Sequence, residues 1–338
     1  ATVQVASGTT SLKGIVQGKG TLIKTGNGQL NITYAGANTW TATELRSGTL
    51  AMGAWNTTFG KATSPLHVTG NATLKMFDCN SSSTMPNVQN AITIDAGKTL
   101  TFQAGSRCNI SGSLLGEGTY KISFPYVRGD VSTNTSKFEG TYEVATSNCR
   151  FIQAMDLSKA TLKMDEGAYA AGFKAGKGDE SSYTHKIGTL TGTGTLGTGT
   201  WQIGRLLVNY KATRTSVTSE TVAVNGAVTL RNPVIELKSS STTALPDNAE
   251  IEVIRGTGKR TVSGTVTIIP ERPREGWKWN TSRLASDGIL TIEEDTDALQ
   301  TIHEEQSHQS TFDLQGRPAS GSGSQGIVIR NHKKVVVK

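Results

Sequence analysis

The amino-acid sequence predicts an all-β solenoid, and three observations predict it. Apolar residues do not recur at i, i+3 and i+4 across any window of about a dozen residues, so the helical period is missing. Short alternating apolar runs bounded by Gly, Asn or Asp recur instead, from about residue 18 to about residue 292. Glycine supplies 38 of the 338 residues, while aromatic residues make up 6% and hydrophobic residues 35%. An ordinary two-domain globule of this length would be richer in Leu, Phe and Trp. A coil of stacked rungs accounts for all three observations. Each rung buries its apolar face only against its neighbours, and it turns several corners at which glycine supplies a positive φ.

The runs follow in order: GKGTLIKTG (18–26), GQLNITYAG (28–36), SGTLAMG (47–53), NATLKMF (71–77), NAITIDAG (90–97) and KTLTFQAG (98–105). They continue as GTYKISF (118–124), GTYEVAT (140–146), KATLKMDEG (159–167), IGTLTGTGTLGTGTWQIG (187–204), VNGAVTLRN (224–232) and GTVTIIP (264–270). Each reads as a short strand with a turn at either end, Leu, Ile and Val pointing inward and Thr, Lys, Asn and Gln outward. At roughly 20 residues per rung the region holds on the order of 14 rungs, a rod of about 65 Å. A pair of antiparallel sandwiches also carries short, regularly spaced strands and stands as the alternative.

The segment 18–52 resembles the passenger-associated repeat of bacterial autotransporters. Gly18, Gly20, Thr21, Leu22, Lys24, Gly26, Gly28 and Leu30 match its opening, Gly36, Ala37, Asn38 and Trp40 its turn, and Gly48, Thr49 and Leu50 its closing strand. Ala42 stands where a Gly is usual. The resemblance implies a right-handed parallel β-helix on an exported surface protein. Residues 270–292 are similar to the closing segment of such passengers, so residues 1–292 are expected to form the β-helix with its cap near 270–292.

Residues 293–310 are acidic and polar and read as a linker. Residues 311–338 resemble the C-terminal sorting domain of Bacteroidetes secreted proteins, a small β-sandwich-like unit. Phe312, Asp313, Leu314, Gly316 and Arg317 match its first strand, Gly326, Ile327 and Ile329 its second, and Lys333, Lys334, Val335 and Lys338 its last, with Val328 replacing a usual Tyr. This resemblance implies engagement of the type IX secretion machinery and an address at the outer-membrane surface or outside a Gram-negative cell.

Charge and composition exclude several functions. The net charge is +7, but the 34 Lys and Arg are scattered and no basic stripe interleaves with stacking aromatics, so nucleic acid is not an expected partner. No apolar stretch approaches the length of a membrane-spanning helix. Cys79, Cys108 and Cys149 fit no zinc spacing and read as small core residues. No cofactor or metal motif is present. The carboxylate signatures of polygalacturonase-like hydrolases are missing, and the adjacent pairs Asp165–Glu166 and Asp179–Glu180 lie in Gly-rich turns. His303 and His308 in HEEQSH are five apart, about 140° around a helix from the shared face that a zinc peptidase motif needs. Arg128-Gly129-Asp130 reads as a short chance match in a loop. The run 191–200 alternates Thr but spans barely one rung.

Trp277 and Trp279 alternate and therefore share a strand face. They are the candidate binding residues, as a platform for sugar rings, against the reading that they cap the end of the coil. The expected function is a structural or adhesive surface module, the C-terminal part of a longer protein, with a host or dietary glycan or another cell-surface ligand as partner. A polysaccharide lyase or hydrolase, or a carbohydrate-binding module, is the alternative. An enzyme would require a groove in which acidic and basic side chains from successive rungs converge.

Overall fold

The computed structural model describes residues 1–33, 38–53, 59–76, 87–105, 108–123, 129–172, 183–296, 326–330 and 333–337. The fold is all-β, and three parallel sheets hold most of it. The first sheet runs from Thr2–Gln4 through Thr21–Thr25, Ala42–Leu45, Leu66–Val68, Ile92–Ile94 and Ser113–Gly116 to Asn134–Phe138. The second follows a path of twelve strands from Thr9–Leu12 to Arg260–Ser263. The third is built from short strands, among them Asn109–Ile110, Cys149–Phe151, Tyr169–Gly172 and Ala223–Val224. From Asn87 to Val144 the chain visits the third, first and second sheets in rotation, and each return adds a parallel neighbour to the strand laid down one circuit earlier. From Asp156 onward the strand that feeds the second sheet is long and bent, as in Asp156–Met164 and Thr200–Ala212, with register shifts at the bends.

Parallel register rules out the antiparallel sandwiches and gives the solenoid-like arrangement its core. Leu30, Leu50, Leu74, Phe102, Ile122, Val144 and Met164 are successive register partners in the second sheet, and all are fully buried. Burial of each such side chain stabilises by about 1.5–3 kcal/mol, set against the entropy of ordering its rung. The expected count of about 14 rungs is too high. The circuit of 20 residues between Ile32 and Met52 lengthens to 28 between Leu162 and Leu190, so fewer circuits fit.

The repeat-like segment 18–52 has a physical account residue by residue. Lys24 points inward, against the expectation that lysines face out, and is fully buried. Its ammonium donates to the carbonyls of Thr25 (3.0 Å), Gly26 (2.7 Å) and Ser47 (3.2 Å), tying one corner to the next. Gly48 closes that corner at φ +69°, where an added Cβ would stand 2.3 Å from the Gly26 carbonyl oxygen. Asn38 accepts the Val16 amide through Oδ1 at 2.9 Å, and the Trp40 indole donates to Thr43 Oγ1 at 2.8 Å. Ala42 heads an ordinary parallel strand that makes no demand for glycine.

The far end of the parallel ladder meets a different sheet. Trp277–Asn280 pairs antiparallel with Ile289–Glu294, which pairs antiparallel with Glu250–Glu252. The sheet passes beyond Ile292 into the acidic stretch: Glu294 faces Trp277, and buried Asp295 forms an ion pair with Arg272 at 2.9 Å. Gly326–Arg330 and Lys333–Val337 form an antiparallel hairpin. Phe312, Asp313, Leu314, Gly316, Arg317 and Lys338 lie outside the described residues, as do Cys79, Arg128, Asp179, Glu180, His303 and His308. Cys108 and Cys149 are buried in the core, as small apolar residues. Gly129 and Asp130 belong to the strand Gly129–Val131, so the expected loop around them is corrected to a rung of the third sheet. Among the described residues no helix is long and apolar enough to cross a membrane.

Candidate functional site

The outward face of the second sheet is read across rungs, where register partners stand about 4.8 Å apart. Thr99, Thr119, Thr141, Thr161 and Thr189 form one column. The threonine array therefore runs across the parallel strands and not along the run 191–200, which instead turns a corner and contributes Thr195 to the third sheet. Beside it stand Thr101, Lys121, Glu143, Lys163 and Thr191.

The three charged members of that second column close a ring with Asp165. Lys121 Nζ bonds Glu143 and reaches Asp165 at 3.1 Å, while Lys163 Nζ lies 3.2 Å from Glu143 and 3.1 Å from Asp165. The hydrogen bond that Lys121 donates to Glu143 leads in raising the Lys121 pKa. Burial alone would raise the Asp165 carboxyl, but the hydrogen bonds from Lys121 and Lys163 outweigh it and hold its pKa below the usual range. The ring thus pairs two ammonium groups with two carboxylates.

Asp165 also stands at the rim of a groove of about 920 Å³ at the corner between the second and third sheets. The corner turns supply Glu166, Tyr169, Thr193 and Thr195, and Gly192 shapes them at φ +105°, where a Cβ would lie 2.0 Å from the Met164 carbonyl oxygen. The opposite wall is a hairpin in which Val217–Glu220 pairs antiparallel with the end of Thr200–Ala212, itself a strand of the parallel ladder. On it Asn209 Nδ2 donates to Glu220 Oε2 at 2.9 Å. Arg255, from a later circuit, completes the lining and donates to the Thr193 carbonyl at 2.8 Å.

The groove thus brings together acidic and basic groups from several rungs. The adjacent pair Asp165–Glu166 divides its roles: Asp165 is half-buried in the ion-paired ring and Glu166 is exposed. Asn209, Glu220 and Arg255 carried no signal in the sequence, because their meeting depends on register across circuits and on one hairpin. Among the described residues no cluster of three or more His, Cys, Asp or Glu could hold a metal ion.

Trp277 and Trp279 lie elsewhere, in the antiparallel sheet. Both are half-buried and pack against the core. The Arg274 guanidinium sits 4.0 Å over the Trp277 ring, and the Trp279 indole donates to the Pro270 carbonyl at 2.9 Å. Each ring thus has an intramolecular partner. No protein-family model matches the chain, and no curated protein matches its sequence.

Proposed function

We propose that the chain is a secreted or surface-displayed structural module, a right-handed parallel β-helix serving as a stalk or adhesive passenger, with residues 311–338 as its sorting signal. The observation that carries this reading is the parallel ladder from Thr2 to Ile269, apolar columns within and hydroxyl and charged columns without. Such a ladder transmits length and stiffness one rung at a time. Parallel strands joined by crossovers take the right-handed path in nearly all proteins, which supports the handedness. Trp277 and Trp279 support the capping role, since a coil end without a cover exposes its last apolar rung.

The export half of the reading rests on the residues matched in 311–338. Its test is display in a Bacteroidetes host with an export signal fused ahead of residue 1, read by protease shaving of intact cells. The full chain is expected at the surface, and a variant lacking 311–338 is expected in the periplasm. Equal surface display of both would remove the sorting signal from the account. Release of unsaturated uronates from acidic polysaccharides by the purified chain would replace the structural reading with the lyase alternative.

A further inference from the structure

We propose that the groove between the corner turns and the 209–220 hairpin binds a neutral oligosaccharide, whose neighbouring hydroxyls meet Asp165, Asn209, Glu220 and Arg255. The proposal rests on the groove alone and is independent of the export route, so failure of either leaves the other standing.

Size is the first argument. A volume of about 920 Å³ lies at the upper end of the range for small-molecule sites, about 300–1,000 Å³, and leaves room for more than one sugar ring.

The lining chemistry is the second argument. Carboxylate, carboxamide and guanidinium groups each present two polar atoms in one plane, a spacing that suits paired hydroxyls. The groove offers all three kinds, with threonine hydroxyls beside them and the half-buried Tyr169 as an aromatic contact.

Charge selects among sugars. Lys121 and Lys163 are matched by Glu143 and Asp165 within their ring, which leaves Glu166 and Glu220 against Arg255, so the +7 excess of the chain is not gathered here, and a polyuronate would meet repulsion.

Preorganisation is the last argument. Asp165 is fixed by Lys121 and Lys163, Glu220 by Asn209, and Arg255 by the Thr193 carbonyl. Groups already held in place lose little further freedom on binding.

The test is titration calorimetry of the full chain with cellohexaose, xylohexaose, maltohexaose and mannohexaose, and with hexagalacturonate as the charged comparison. At least one neutral hexasaccharide is expected to bind. Asn209→Ala and Glu220→Gln, both at exposed positions, are each expected to weaken it about ten-fold or more while leaving the melting temperature unchanged. Binding to none of the four neutral sugars, tighter binding of hexagalacturonate, or affinity indifferent to both substitutions would each overturn the proposal.

Discussion

Lys24 shows how one side chain can hold a corner of the coil. If it is shortened or made apolar, the Gly26 and Ser47 carbonyls lose this donor while the Thr25 carbonyl keeps the Val5 amide at 3.0 Å, and half-buried carbonyls left without a donor are costly. Lys24→Met is expected to lower stability by about 2–4 kcal/mol in urea denaturation. The opposite case is Tyr142, whose hydroxyl is buried with no hydrogen-bond partner among the described residues and whose ring meets Tyr120 edge-on with centroids 5.5 Å apart. Removing that hydroxyl removes a desolvated group and keeps the packing, so Tyr142→Phe is expected to leave the melting temperature unchanged or raise it. A loss above about 1 kcal/mol would contradict this.

His185 adds a pH dependence. The ring is fully buried and stacked on Trp201 with centroids 4.4 Å apart, and it accepts the Met155 amide through Nδ1 at 3.3 Å. Burial lowers its pKa from 6.5 to about 4. The folded state therefore resists a proton that the unfolded chain accepts. Stability from this group is complete above pH 6.5 and is lost as pH falls toward 4, by roughly 3 kcal/mol. His185→Phe is expected to flatten this part of the stability profile between pH 7 and pH 4.5, measured against the parent chain.

Among the structural elements, corners and strands differ in how much they tolerate. Gly48 combines a positive φ with carbonyls at 2.3 and 2.6 Å from an added Cβ, so Gly48→Val is expected to cost about 3 kcal/mol or more. Gly167 has a similar φ of +72° but nothing within 4 Å, so Gly167→Ala is expected to cost only about 1–2 kcal/mol. Thermal denaturation of the two variants should separate backbone strain from collision.

The same contrast explains what could be read from the sequence. Most runs with a G-T-[LYV] or A-T-L opening, such as Gly48–Met52, Ala72–Met76 and Thr119–Ser123, are strands of the second sheet, long enough for alternation to register, while Thr21–Thr25 belongs to the first. Strands of the third sheet such as Asn87–Val88 and Asn109–Ile110 have two residues, too few to show a period, and were not legible. Lys24 was legible as a repeat residue but not as a buried one, because its carbonyl partners come from the turn and from the next circuit. The groove was the least legible feature. Asp165 and Glu166 stood out as a pair, whereas Asn209, Glu220 and Arg255 reach the same place only through the hairpin and the register of later rungs.

At the scale of the molecule, successive circuits stack in parallel, so that sequence distance becomes length along one axis. Gln29, Thr49, Thr73, Thr101, Lys121, Glu143, Lys163 and Thr191 form one outward column. The direct measurement is pulsed electron–electron resonance between spin labels at Gln29 and Lys121, and at Gln29 and Thr191, in a chain whose three cysteines are replaced by alanine. Parallel stacking predicts backbone separations of about 19 Å and about 34 Å, a rise of about 4.8 Å per rung. Equal distances for the two pairs, or a shorter distance for the pair farther apart in the column, would contradict the coil.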